Sequence, residues 1–191
     1  AMFNSLPYPE AGRLVMGRAT FGGEVNPWAS APDLFDYRDR NSVLQSLSLY
    51  RPSAARMTVL GDGGAESVLV TEVSWDLFRT LGISPAIGRP FSPAEGELGG
   101  AAVALVSHGY WRRALGGSHG AIGRTLRLGA RMPTIVGVMP EGFRFAFASD
   151  IWVPMQRNGM GNTVRRFHNW MMLGRLKPGV YARDIGFHLA M

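Results

Sequence analysis

TLRLGARMPTIVGVMPEGFRF, from Thr125 to Phe145, opens in strict alternation and then stops alternating. Thr125, Arg127 and Gly129 interleave with Leu126 and Leu128, the period of a strand with one wet face and one buried face. Gly129-Ala130 supplies a turn. Thr134–Met139 returns as a strand whose apolar neighbours, Ile135-Val136 and Val138-Met139, require burial on both faces. Thr125–Met139 is therefore read as a core hairpin. Gly137 and Gly142 are read as points where the chain turns tightly, and Pro140-Glu141-Gly142 as a turn. The following FRFAFASD places Phe143, Phe145 and Phe147 on one face of an extended segment and Arg144 on the other. That aromatic face is either core or, where exposed, a protein-docking patch.

Upstream, Ala102–Val106 is a short apolar run, the pattern of a buried strand. Ser107 caps a helix over His108–Leu115, ended by Gly116-Gly117. Adjacent helix positions point about 100° apart, so Arg112 and Arg113 can both be wet while one of Tyr110 and Trp111 packs inward. Earlier still, Ser30, Pro32 and Asp33 form a helix start, and the helix carries Leu34, Phe35 and Tyr37 to near Asn41. A short turn is expected over Ser42–Leu47. Strands are expected over Leu47–Leu60, broken near Pro52, and over Glu66–Val73, with GDGG as the hairpin turn between them. Ser74 is expected to cap a helix over Trp75–Leu81, closed by Gly82. Leu14–Met16, Ile151–Met155 and Trp170–Leu176 are further strands, and YARDIGFHLAM reads as a terminal helix. Strands and helices mix without βαβ alternation, so the fold class is α+β, with mixed sheets and short helices. The long Pro-rich loop after Gly82 divides the pattern and suggests two lobes, with an inner lobe over about 48–120.

The composition is globular, with 46% hydrophobic residues and a mean hydropathy of +0.01. There is no cysteine, which excludes a disulfide scaffold and a thiolate site. The net charge is +6, carried by Arg; Lys177 is the one lysine. These arginines are scattered, with no basic run and no nucleic-acid motif, so the charge does not argue for nucleic-acid binding. No run approaches the ~18 apolar residues of a membrane-spanning helix, and no signal peptide is present. Ala1-Met2 reads as an added start and the last helix ends without a cap, so the chain reads as cut from something longer.

The chain offers no chemistry of its own. The P-loop, GxSxG, HExxH and GxGxxG patterns are absent. His108, His119, His168 and His188 are not at ligand spacing, so no metal is expected. Glu95 with Glu97, and Asp36 with Asp39, read as solvated carboxylates rather than a catalytic pair. ALGGSHGAIG could offer backbone N–H groups to an anion but reads better as a helix-to-strand connection. No cofactor, nucleophile or general base is assigned.

Six stretches in fixed order carry a resemblance: NSLPYPEAGRLV, DYRDRNSVLQSLSLYR, TEVSWDLFRTLGISPAIGRPFSPAE, AVALVSHGYWRRALGG, IGRTLRLGARMPTIVGVMPEGFRF, and DIWVPM with LGRLKPGV. Together they resemble the extracytoplasmic domain of MacB/FtsX-type ABC transporter permeases, the MacB-like periplasmic core domain, over nearly the whole chain. The resemblance implies a single such domain over residues 1–191, excised from a longer membrane protein and built of a membrane-near lobe and an inserted lobe. It implies no catalytic residue and no cofactor. As partners it implies a cytoplasmic ATPase subunit or domain acting through the full-length protein, and an adaptor protein or lipoprotein outside. Nucleic acid is not among them. Relatives continue further through the membrane-near lobe than this chain does. The candidate partner-surface residues are Arg112, Arg113, Phe143, Arg144, Phe145 and Phe147. The competing reading is a free-standing extracytoplasmic binding module for an anionic partner or surface.

Overall fold

The computed structural model describes residues 8–21, 24–61, 64–181 and 189–190. In chain order the strands are β1 (Leu14–Met16), β2 (Ala19–Phe21), β3 (Glu24–Asn26), β4 (Leu44–Tyr50), β5 (Ala55–Gly61), β6 (Gly64–Val73), β7 (Ile87–Gly88), β8 (Val103–Val106), β9 (Arg127–Leu128), β10 (Thr134–Val138), β11 (Ile151–Pro154), β12 (Met171–Leu176) and β13 (Leu189–Ala190). The helices are α1 (Ala31–Arg40), α2 (Leu77–Leu81) and α3 (His108–Ala114). The class is α+β. No helix among the described residues is long and apolar enough to cross a membrane. The chain divides into two compact units: unit 1 takes Ala1–Pro52, Asp76–Ile83 and Arg157–Met191, and unit 2 takes Ser53–Trp75 and Ser84–Gln156.

In unit 1, β12 lies antiparallel between β1 and β4. The α1 helix begins as its sequence dictates: Ser30 is the N-cap, its hydroxyl accepts the Asp33 N–H, and a proline occupies the first turn. Leu34 and Phe35 face inward. Residues expected to turn over Ser42–Leu47 instead enter β4 at Leu44. The reason is visible in its burial: Leu44, Leu47 and Leu49 are inside, and so is Ser48, whose hydroxyl is bonded within the core. Ser74 does not cap α2. Asp76 stands at that position, and Gly82 closes the helix in the left-handed region at φ 73. The Ile83 N–H reaches back to Phe78 O, satisfying a terminal carbonyl. A separate sheet pairs β13 with β2 in parallel and β2 with β3 antiparallel. The terminal helix expected from the sequence falls largely on 182–188, outside the described residues, and Leu189–Ala190 is extended in β13 rather than helical.

Unit 2 is a mixed sheet in the order β9-β5-β6-β11-β8-β10-β7. The β5–β6 hairpin pairs Gly61 with Gly64 across the GDGG turn. The β11 strand runs parallel to β6 and antiparallel to β8, and β10 runs parallel to β8. Its core gathers Val68, Val70, Val106, Tyr110, Leu128, Ile135, Val138 and Ile151. The hairpin expected over Thr125–Met139 forms: Thr125 bridges Thr134, Leu126 N–H bonds Pro133 O, and Leu128 and Arg131 exchange both backbone bonds at its tip. The larger partners lie elsewhere, β9 on β5 and β10 on β8 and β7. Buried along its length, β10 takes an interior position between β8 and β7. Gly137 does not turn the chain. It admits a close neighbour, since a Cβ there would lie 2.9 Å from Arg89 O and 2.7 Å from the Leu105 side chain. Gly142, at φ 74, does turn it, and the Phe143 N–H closes on Pro140 O at 3.1 Å.

Candidate interaction surface

The candidate residues all lie in unit 2. On α3, the Ser107 hydroxyl accepts the Tyr110 N–H at 3.0 Å, and the Ser107 N–H donates to Asp150 O at 2.8 Å. Both aromatics of the helix are buried, Tyr110 at 2% and Trp111 at 8% exposure, where one had been expected inward. An apolar stripe about 100° wide accommodates two adjacent positions, and Trp111 also satisfies its indole N–H on Ser118 O at 2.9 Å.

Arg112 and Arg113 are exposed but differ in what they can offer. Arg113 Nε donates to Glu66 Oε1 at 2.9 Å and its Nη2 to Asp150 Oδ1 at 3.1 Å, while its guanidinium stands 5.6 Å from the centre of the Tyr110 ring. The Glu66 hydrogen bond is the main reason its pKa is raised. That guanidinium is spent inside the unit. Arg112 forms no ion pair among the described residues and lies against the turn at Gly117. Of the two, Arg112 is the one whose charge is open to a partner.

Asp150 joins α3 to the aromatic segment. Its Oδ2 accepts the Leu69 N–H at 2.9 Å, its own N–H donates to Leu69 O at 2.8 Å, and its carbonyl holds the start of α3. In the segment leading to it, Phe143 meets Trp152 edge-on at 5.6 Å. Phe145 is 7% exposed and so presents no ring to a partner. Phe143 and Phe147 are half-buried, while Arg144, Ala146 and Ala148 face outward. Ala146 has φ 57, and the Phe147 N–H closes on Phe145 O at 2.6 Å in a three-residue turn. The aromatic face is thus mainly core, and the outward element is Arg144.

Several interacting residues were missed in the sequence. Glu95, expected to be solvated, is 5% exposed. It receives the Arg89 guanidinium at 2.6 Å and the Ser92 N–H at 2.7 Å. Burial works to raise its pKa, but Arg89 and Ser92 outweigh that and hold it below the ordinary value. The signal was present in the SPAE spacing, a capping box. In unit 1, Ser48 bonds Asp76 at 2.9 Å and Thr80 at 2.7 Å, all three buried. Arg165 pairs with Asp33 and Asp36 of α1. Among the described residues no cluster of three or more His, Asp and Glu is arranged to hold a metal.

A family model described as the MacB-like periplasmic core domain matches residues 3–186. Three solved structures share the fold. A domain assigned to a permease protein from Porphyromonas gingivalis aligns at TM-score 0.71 and 16% identity, covering 93% of this chain and 81% of that one. The periplasmic region of MacB from Actinobacillus actinomycetemcomitans aligns at TM-score 0.64 and 10% identity, covering 90% and 77%. The extracellular domain of the noncanonic ABC-type transporter YknZ from Gram-positive bacteria aligns at TM-score 0.63 and 13% identity, covering 87% and 84%. None of the curated proteins matches the chain in sequence.

Proposed function

Because the chain belongs to the MacB-like periplasmic core domain family, as the extracytoplasmic domain of an ABC transporter permease of the MacB/FtsX type, we propose that it docks a protein partner and relays ATPase-driven motion across the membrane. The family is one of transporter permease domains, not a known class of enzyme. The observation that carries the reading is the family match over residues 3–186, which takes in both compact units. In this reading unit 1 is the membrane-near lobe. Unit 2 is the inserted lobe. A cytoplasmic ATPase supplies the motion, and an adaptor protein or lipoprotein receives it.

The docking surface we propose lies on unit 2 and includes the exposed Arg112 and Arg144, with the half-buried Phe143 and Phe147 flanking Arg144 in the chain. Arginine suits such a surface because its planar fork pairs with a carboxylate through two parallel hydrogen bonds. The expected partner patch is acidic. A photo-crosslinking residue placed at 112 or 144 of the full-length permease in its own membrane is expected to trap a protein, and Arg112→Glu to reduce that trapping. Trapping at neither position overturns the docking surface. So would submicromolar binding of random-sequence DNA with a steep salt dependence, the signature of phosphate contacts.

A further inference from the structure

We propose that Arg13 and Arg175 form a reciprocal guanidinium clamp that makes the 9–13 segment, β12 and the C-terminal end of α2 move as one piece within unit 1. The inference rests on the relay reading above and names the element that would carry the displacement.

The register of β1 and β12 sets it up. Arg175 lies opposite Leu14, and residues opposite one another in an antiparallel pair share a face. Leu14 is buried, so Arg175 is carried inside as well, at 6% exposure. There its guanidinium meets backbone rather than a close carboxylate. Its Nε donates to Thr80 O at 2.8 Å, its Nη2 to Pro9 O at 3.1 Å, and its Nη1 to Glu10 O at a longer 3.5 Å. Thr80 O is one of the last carbonyls of α2, which have no partner within the helix. One side chain on β12 thus holds the end of α2 and the 9–10 backbone.

Arg13 makes the opposite reach. From the 9–13 segment its Nε and Nη2 donate to Leu176 O on β12, at 2.9 and 2.6 Å. Its Nη1 holds the Glu10 carboxylate at 2.8 Å, and the Glu10 Oε2 atom lies 3.9 Å from Arg175. Glu10 adopts φ 49, a left-handed backbone closed by the Arg13 N–H on Glu10 O at 2.9 Å. Each segment therefore sends a guanidinium to the backbone of the other. Lysine could not replace Arg175, because three diverging carbonyls need a planar fork with several fixed donors. Burial depresses the Arg175 pKa, with the nearby Arg13 charge adding to the effect.

The hydroxyl of Thr80 also bonds Ser46 at 2.9 Å and Ser48 at 2.7 Å, and Ser48 bonds Asp76. The α2 segment is thus held from β4 as well as from β12. In the chain it follows Trp75 and precedes Ser84, both of unit 2. A displacement entering at 9–13 would reach α2 through Arg175, and from α2 the covalent chain continues into unit 2 on both sides.

The test is amide hydrogen exchange on the full-length permease with its ATPase, comparing the parent with Arg175→Lys. Amides of 10–13 and of 80–83 are expected to exchange faster together, on the order of 10- to 100-fold, as lost hydrogen bonds to a charged donor would give. The β5–β6 amides should be unchanged. Faster exchange in only one of the two segments, or in neither, overturns the clamp. If β5–β6 also opens in Arg175→Lys, the half-buried partner is changed instead, and Arg13→Lys must give the same joint opening or the clamp fails. ATP is expected to alter exchange in unit 2 of the parent, and that change should shrink in Arg175→Lys while ATP turnover continues. An undiminished ATP response in the variant overturns the clamp as carrier. No ATP response in the parent overturns the relay reading, and the joint opening is then judged by itself.

Discussion

The two units bury different chemistry. Among the described residues, unit 1 encloses Ser30, Ser48, Asp76, Thr80, Asn162 and Arg175, and unit 2 encloses Thr71, Ser74 and Glu95. In unit 2 the centre is valine, isoleucine, leucine and aromatic side chains, and its Arg113–Glu66–Asp150 pairs lie at the surface. Apolar attraction is non-directional and scales with area, so the side chains of that core are held together without exact hydrogen-bond geometry. Unit 1 also has an apolar core, but α2, β4, β12 and the 9–13 segment are joined by directional bonds in a low-dielectric interior. Such bonds are costly to leave unmade. The lesson is that one region is built to be stable and the other to be joined in one specific arrangement.

Ile135→Asp breaks the apolar side of this contrast most severely. Ile135 is fully buried on β10, and an unpaired carboxylate there should cost about 4 kcal/mol and lower the melting midpoint by about 10 °C. An unchanged midpoint would mean that β10 is not core. Gly88→Ala comes next. Gly88 has φ 80, and a Cβ would sit 2.2 Å from Val136 O. Backbone strain and forced separation of β7 from β10 should together cost about 2–4 kcal/mol in denaturant unfolding. Ser48→Ala tests the polar side: Asp76 loses a buried donor, and about 1–3 kcal/mol should go with it. A loss well below that would show that water or a neighbour replaces the hydroxyl and that the seam is not specific.

Glu95 gives a smaller, pH-dependent effect. Its pKa is held below the ordinary carboxylate value in the folded protein. A carboxyl depressed by folding stabilises fully above its unfolded pKa, and that stabilisation is lost as pH falls through the folded one. Melting followed from neutrality to pH ~3 should therefore show an acid-sensitive component in the parent. Glu95→Gln should lack that component and be less stable at neutral pH by about 1–2 kcal/mol. The smallest effect is expected for Arg113→Ala. Its partners are partly exposed, and pairs of that kind contribute no more than about 1 kcal/mol. A larger loss would move part of the stability of unit 2 from its apolar core to its surface charges.

Local signals in the sequence were sufficient where the cause was local. Ser30 with Pro32 and Asp33 started α1, Ser107 started α3, and GDGG marked the β5–β6 hairpin. What failed needed distant partners. The apolar run at β10 requires burial but does not name β8 as its neighbour. In β4 the strand was legible only from Leu47; its first residues read as a turn because their partners, Arg175 opposite Ser46 and Leu176 opposite Leu44, come much later in the chain. Arg175 sits in an otherwise apolar MMLGRL, and that lone charge was the one hint of the clamp. For the candidate surface, the exposure of Arg112 and Arg113 followed from helix geometry. The capture of Arg113 by Glu66 and Asp150 did not, because it depends on tertiary pairing of β6 and β11. The FRFAF alternation did not separate Phe145, which is buried, from Phe143 and Phe147, which are half-buried, and Phe143 finds its ring partner in the distant Trp152.

The relay is tested most directly by distance measurement. This domain contains no native cysteine, so, with any cysteine elsewhere in the full-length permease replaced by serine, one introduced cysteine in each unit, at exposed Met160 in unit 1 and exposed Leu98 in unit 2, gives a defined spin-label pair. The pair is read in membranes with the ATPase empty, ATP-bound and after hydrolysis. A distance distribution that shifts with nucleotide state is the expected result, and a shift abolished by Arg175→Lys would place the clamp in its path. The same distribution in all three states, in a permease that turns over ATP, would contradict the account.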